Sequence, residues 1–287
     1  MSETLREFAL RDLQGLRARH GEVFAIDWRR RAAFLVGIVL AVALAAYGFW
    51  RLDFSLSRLG SGMGQIAHMV SLMFPPSPGG RLPLYLQALA ETLAIALLGT
   101  LTAAVLAFPV GFLAAKNVVP NIFAHFAVRR VLDVFRGVDV LIWALIFVNV
   151  VGLGPFAGML AIAAADFGSF GKLFSEAIEA ADKRPAEGVV ASGGTQLHAL
   201  RFALIPQVFP VIASQVLYYF ESNTRSATII GIVGAGGIGL YLAEQIRVLE
   251  WDVVAFLVLM ILIAVAIIDW ISSRLRLAII GRAAVVL

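Results

Sequence analysis

The chain has 287 residues, of which 60% are hydrophobic and only 15% charged, with a formal net charge of +4 and a mean hydropathy of +0.89. A soluble domain is nearer half apolar and a quarter charged, so an ordinary water-soluble globule is excluded. Cysteine is absent, which removes disulfide scaffolds, thiolate metal sites and cysteine nucleophiles together; the four histidines, His20, His68, His125 and His198, are scattered, and no metal site is expected.

Residues 1–31 mix both signs of charge with Leu5, Phe8, Leu10, Leu13 and Leu16 at helical intervals, which predicts an amphipathic cytoplasmic helix on the bilayer surface. The apolar run that follows, at about 32–50, is too long for the core of a signal peptide and is expected to remain as a membrane anchor. With the glycine-rich outer stretch that ends in Pro75-Pro76-Ser77-Pro78-Gly79-Gly80, it makes up a segment 32–83. Further spans are predicted at about 84–115, 138–151, 156–174, 207–232 and 253–271, six in all, with a short tail at 276–287. No internal repeat stands out, and no second domain is expected.

Lysine and arginine placement orients these spans, because both residues resist translocation. Segments 1–31, 116–136, 172–206 and 274–282 hold seven, four, four and three of them, against Arg51, Arg58, Arg81, Arg225 and Arg247 on the other side. Both termini are therefore expected in the cytoplasm, together with the polar segment at about 175–206.

That segment reads Glu187-Gly188-Val189-Val190-Ala191-Ser192-Gly193, then nine residues to Ala203-Leu204-Ile205-Pro206. The text resembles the EAA loop of ABC importer permeases, with Glu187, Gly193 and Pro206 in register and small or apolar residues at the substituted positions. Glu179-Ala180-Ala181 spells the motif literally, but Pro185 and His198 stand where its glycine and proline belong. The resemblance implies a coupling helix that docks on an ATPase subunit, carried by Glu187, Gly188, Val189, Gly193, Gly194, Ile205 and Pro206. A helix beginning after Pro185, closed by Gly193-Gly194 and followed by one capped by Thr195, fits this physically.

Two further stretches resemble phosphonate-type permeases: Ile142-Trp143-Ala144-Leu145-Ile146-Phe147-Val148 running to Gly152-Leu153-Gly154-Pro155-Phe156-Ala157-Gly158, and Arg225-Ser226-Ala227-Thr228 running to Gly234-Ala235-Gly236-Gly237-Ile238-Gly239. The second also occurs in methionine importer permeases; the first, and a six-span layout, lean to the phosphonate branch. Val138-Asp139 stands where the resemblance leads one to expect a proline. The implied fold is all-α, a type I ABC importer permease with its core at 84–275. The implied function is uptake of a phosphonate, phosphite or phosphate, and a methionine or other amino-acid importer is the alternative.

Gly234 to Gly239 fits the dinucleotide pattern G-x-G-x-x-G, but it ends a membrane span where that motif needs a soluble strand and helix. Gly171-Lys172 lacks both the upstream glycine and the Ser or Thr of a phosphate loop. The chain is thus expected to hold no ATPase site, cofactor or catalytic residue of its own, ATP and Mg being bound by a partner. The glycines Gly231, Gly234, Gly236, Gly237 and Gly239 are expected to form a hinge at an outer gate.

Ionisable residues at membrane depth usually face a pathway or a partner. Glu91, Asp166, Glu221 and Arg225 are such residues here. Glu221 and Arg225, four apart, either neutralise one another or leave Arg225, with Ser222, Asn223, Thr224, Ser226 and Thr228 around it, to offer donors to a passing oxyanion. The resemblance implies the partners: two ATPase subunits, a periplasmic or lipid-anchored binding protein, a second copy of this chain and membrane lipid, with no nucleic acid. A stand-alone secondary transporter or membrane enzyme is the reading of another class; neither paired broken helices nor clustered catalytic residues support it.

Overall fold

The structure, a computed structural model, describes Gly15 and residues 28–286. The amphipathic helix expected at 1–31 lies almost wholly outside the described residues. Among the described residues every regular element is a helix. By packing, the chain divides into Met1–Ile66 and Ala67–Leu287.

In the first unit, α1 (Trp28–Arg51) exposes its apolar stretch throughout, as a helix bathed in lipid would. Trp28 and Trp50 mark its ends, where amphipathic rings favour the membrane–water boundary. Helix α2 (Leu56–Leu72) begins in this unit and ends in the next. The sequence reading placed no element here, because Gly60, Gly62 and Gly64 looked like turn residues; Leu56, Leu59, Met63, Ile66 and Val70 nonetheless recur at helical spacing.

The second unit is organised around α3 (Leu82–Ala114) and α6 (Pro155–Ala180). At 1.5 Å per residue, the 33 residues of α3 extend to about 50 Å. Its buried positions are mostly small: Ala88, Thr92, Ala96, Gly99, Ala103, Ala107, Gly111 and Ala114, three or four apart. Small residues let two helix backbones approach where lipid offers no hydrophobic drive to associate. A Cβ on Gly99 would stand 2.8 Å from the Ile162 side chain, and one on Gly111 would stand 2.8 Å from Phe174 Cβ.

Helices α4 (Ile122–Gly137) and α5 (Val140–Val151) also pack against α6. They meet at a bend of 86°. The expected span at 138–151 corresponds to α5, whose 12 residues are too few to cross a bilayer alone. Asp139 occupies the place where a proline was expected and does the work of a cap, its Oδ1 accepting from Leu141 N at 2.8 Å.

A short helix, α7 (Arg184–Ala191), leads through a turn to α8 (Gln196–Ala199) and a π-helical turn, Leu200–Leu204. These run directly into α9 (Ile205–Gly231). After a glycine turn come α10 (Ile238–Val248) and α11 (Trp251–Val286), which continues in helical form through the expected tail. Among the described residues, five helical runs are long and apolar enough to cross a membrane, and the bent α4–α5 pair makes up to a sixth.

Candidate functional site: an exposed helical turn and a glycine turn

Helix α7 has no buried residue, so it is not held by packing along its length. Instead its ends are pinned. Asp182 Oδ1 accepts from Arg184 N at 3.0 Å, and Glu187 lies in the first turn. At the other end Gly193 N and Gly194 N donate to Val190 O and Val189 O, both at 3.0 Å, with Gly193 at φ +91°. A side chain at Gly194 would meet Val189 O at 2.7 Å, which accounts for the second glycine. Thr195 caps α8 reciprocally with His198: Thr195 N donates to His198 Nδ1 at 3.2 Å, and Thr195 Oγ1 accepts from His198 N at 3.4 Å.

Sequence reasoning missed the residue that closes this segment. Gln207 Oε1 accepts from Asp182 N at 3.1 Å, while its Nε2 donates to Asp182 O at 3.3 Å and Ala203 O at 2.9 Å. The segment from Asp182 to Pro206 is thereby stapled to the first turn of α9. Ile205 and Pro206 stand at that start, after a π turn in which Ile205 N bonds Leu200 O. The surface carried on this base is apolar and exposed at Val190, Leu197 and Phe202, with Glu187 and Gly188 open to solvent.

Glu179, the glutamate of the literal triplet, is engaged between helices. Its Oε1 accepts from Lys116 N at 2.8 Å and pairs with Arg129 Nη2 at 3.0 Å, tying the end of α6 to the end of α3 and to α4.

The candidate pathway residues separate into three kinds. Ser226 and Thr228 hydroxyls donate to Ser222 O and Thr224 O of their own helix. Asn223 is buried and points inward: its Nδ2 donates to Thr100 Oγ1 at 2.8 Å and Asp166 Oδ2 at 2.5 Å, joining α9 to α3 and α6. Arg225 alone is substantially exposed, and it lies 3.4 Å from Asp269 Oδ1 and 4.0 Å from Glu221. Glu221 in turn sits 2.9 Å from Arg276 Nη2. Four charges, two of each sign, therefore bridge α9 and α11.

Arg225 falls within the expected span at 207–232. Helix α9 runs on to Gly231, so Arg225 is inside it, close to the level of Thr100 near the middle of α3. The glycine turn meets α3 at Glu91 and Thr92, about 13 Å further along that helix. Asp269 is the nearer carboxylate to its guanidinium, with Glu221 further off.

At the turn, Gly234, Gly236 and Gly237 all have positive φ, which side chains rarely adopt. A Cβ on Gly236 would fall 2.7 Å from Glu91 Oε1 and 2.8 Å from Pro155 N, and one on Gly231 would fall 2.6 Å from Gly236 O. Gly239 likewise has no room beside Thr228 O. Gly154 N donates to Gly234 O at 3.0 Å, Gly237 N to Glu91 Oε1 at 2.9 Å, and Ile238 N to Thr92 Oγ1 at 2.8 Å. Beside the turn is a hollow of about 290 Å³ lined by Glu91, Leu153, Pro155, Leu240 and Tyr241.

Residues 107–280 match the family described as "Binding-protein-dependent transport system inner membrane component". The chain belongs to this family. It is similar to the putative phosphite transport system permease protein HtxC of Stutzerimonas stutzeri, 37% identical over 250 residues, covering 87% of this chain and 88% of the relative. It is also similar to the phosphite transport system permease protein PtxC of the same organism, 36% identical over 269 residues, covering 92% and 97%. Its fold is that of the permease in an inward-facing structure of the MetNI methionine ABC transporter, with a TM-score of 0.62 at 20% identity, over 71% of this chain and 99% of that one.

In this inner-membrane permease, then, the exposed segment at 184–206 and the glycine turn stand at opposite ends of α9, 26 residues apart from Ile205 to Gly231. One continuous helix joins them.

Proposed function

We propose that this permease subunit belongs to an ABC importer that carries a phosphorus oxyanion, phosphite or a phosphonate foremost and phosphate as a close analogue. Two copies assemble with two ATPase subunits, which bind ATP and Mg, and receive substrate from a periplasmic or lipid-anchored binding protein. Both termini and the 184–206 segment face the cytoplasm. The chain itself catalyses no reaction.

The observation that carries this reading is the helical turn built on α9. Its exposed Glu187, Val190, Leu197 and Phe202 offer a docking surface, and the Gln207 staple makes the segment move with α9 as one body. Relatives named for phosphite transport supply the substrate class. Arg225 suits it chemically, because a guanidinium fork donates two parallel hydrogen bonds to an oxyanion. Its neighbour Asp269 competes for the same donors, which keeps the contact weak enough for release.

The test is uptake into vesicles holding the permease, its ATPase and its binding protein. Phosphite or a simple alkylphosphonate is accumulated in an ATP-dependent manner, and methionine is not. Accumulation of methionine without phosphorus compounds would overturn the substrate assignment.

A further inference from the structure

Two consecutive side chains of α3 accept from two consecutive backbone N–H groups at the end of the glycine turn, 146 residues away: Glu91 Oε1 from Gly237 N and Thr92 Oγ1 from Ile238 N. These N–H groups open α10, where unsatisfied donors and the helix dipole favour a carboxylate. Thr92 is fixed for this task, since its hydroxyl also donates to Ala88 O at 3.0 Å. The turn has no slack sideways: Gly236 is wedged between Glu91 and Pro155, and a Cβ on Gly158 would stand 2.5 Å from Ala235 O. Ala235 and Ile238 beneath it are wholly buried. The adjoining hollow of about 290 Å³ gives Glu91 and the turn somewhere to go once they part.

We infer that Glu91 and Thr92 form a latch that holds the glycine turn closed across the pathway, and that the stroke along α9 must break it before α10 can follow. This deepens the reading above, on which it rests for the meaning of the stroke. Both are positioning residues: they touch the turn, not the substrate. Displacement of α9 pulls on Gly231 at one side of the turn, while the latch holds Gly237 and Ile238 at the other. It sets how much motion is absorbed before the gate yields, and keeps the gate shut between strokes.

The chain contains no cysteine, so a single introduced thiol reports without background. Ala235→Cys in the assembled complex is labelled from outside with a membrane-impermeant maleimide, without ATP; Ile238→Cys serves as a second reporter if the first disturbs assembly. With the native latch, labelling is slow. Glu91→Leu speeds it on the order of tenfold or more, as expected for losing a charge-assisted hydrogen bond, and Thr92→Val speeds it less. Glu91→Gln keeps an oxygen acceptor and restores slow labelling, which a purely bulk-packing role would not require. Wild-type labelling rates in both Glu91→Leu and Thr92→Val, in assembled complexes, would overturn the latch. Labelling needs no substrate, so it stands apart from the uptake test: vesicles that import no phosphorus compound defeat the functional reading, and unchanged labelling defeats only the latch.

Discussion

Gln207 and Asp182 face each other across the two ends of the 183–206 segment, with the Gln207 amide accepting from Asp182 N and donating to Asp182 O at 3.1 and 3.3 Å. One side chain thus satisfies both backbone groups of Asp182, two residues before α7 begins. The staple fastens the start of the segment to α9, into which its far end already runs as continuous helix.

Gln207→Leu removes two bonds to Asp182 and one to Ala203, each worth about 1 kcal/mol net. The expected outcome is a permease that still inserts and binds its ATPase but wastes hydrolysis. Measuring ATP consumed per substrate imported should show a severalfold rise, alongside a thermal midpoint lowered by several degrees. An unchanged ratio would mean that the staple carries no motion.

Glu179→Ala tests the opposite case. It removes an ion pair to Arg129 and the acceptor for Lys116 N, so it should destabilise the purified permease by about 1–3 kcal/mol. Coupling in the folded fraction should be normal, because Glu179 belongs to the helix framework and not to the exposed turn. Thermal melts alongside stimulated ATPase separate the two effects.

Glycine substitutions should divide sharply by position. Gly99→Val and Gly111→Val force a side chain into Ile162 and Phe174 across the α3–α6 contact, costing about 1–3 kcal/mol. Gly188→Ala, on exposed α7 with nothing within 4 Å, should be neutral or stabilise by up to about 1 kcal/mol through helix propensity. Melting temperatures of the three variants in one detergent check this directly.

Asn223→Leu leaves Asp166 buried without its amide donor, an expected loss of about 1–3 kcal/mol. Replacing both partners, Asn223→Leu with Asp166→Leu, should recover part of it, since no polar group is then stranded. A double-mutant cycle on unfolding free energy measures the coupling, and strict additivity would show that the contact is energetically idle.

Much of this was legible in the sequence, for reasons particular residues make clear. Long uncharged runs announced α1, α3, α6, α9 and α11, because hydrocarbon demands apolar helices of that length. Fixed spacing from Glu187 to Gly193 and Pro206 pointed to a segment that the structure leaves exposed, while Glu179 of the literal triplet has partners of its own. What stayed hidden depends on contacts between distant residues. Thr92 meets Ile238 across 146 positions, and Arg225 meets Asp269 across 44. No local pattern encodes such pairs. The bend between α4 and α5 was missed because an apolar run gives no sign of direction, and α2 because its glycines outweighed a regular apolar spacing.

The most direct test of the central claim is substrate-stimulated ATP hydrolysis by the permease reconstituted with its ATPase and binding protein. Wild type is compared with Glu187→Arg, which reverses an exposed charge on α7, and Gly193→Asp, which strains a φ of +91°. The account predicts that both variants assemble in the membrane yet lose stimulation. Full stimulation in both would contradict it, because the 184–206 turn would then not be where ATP hydrolysis meets the membrane helices.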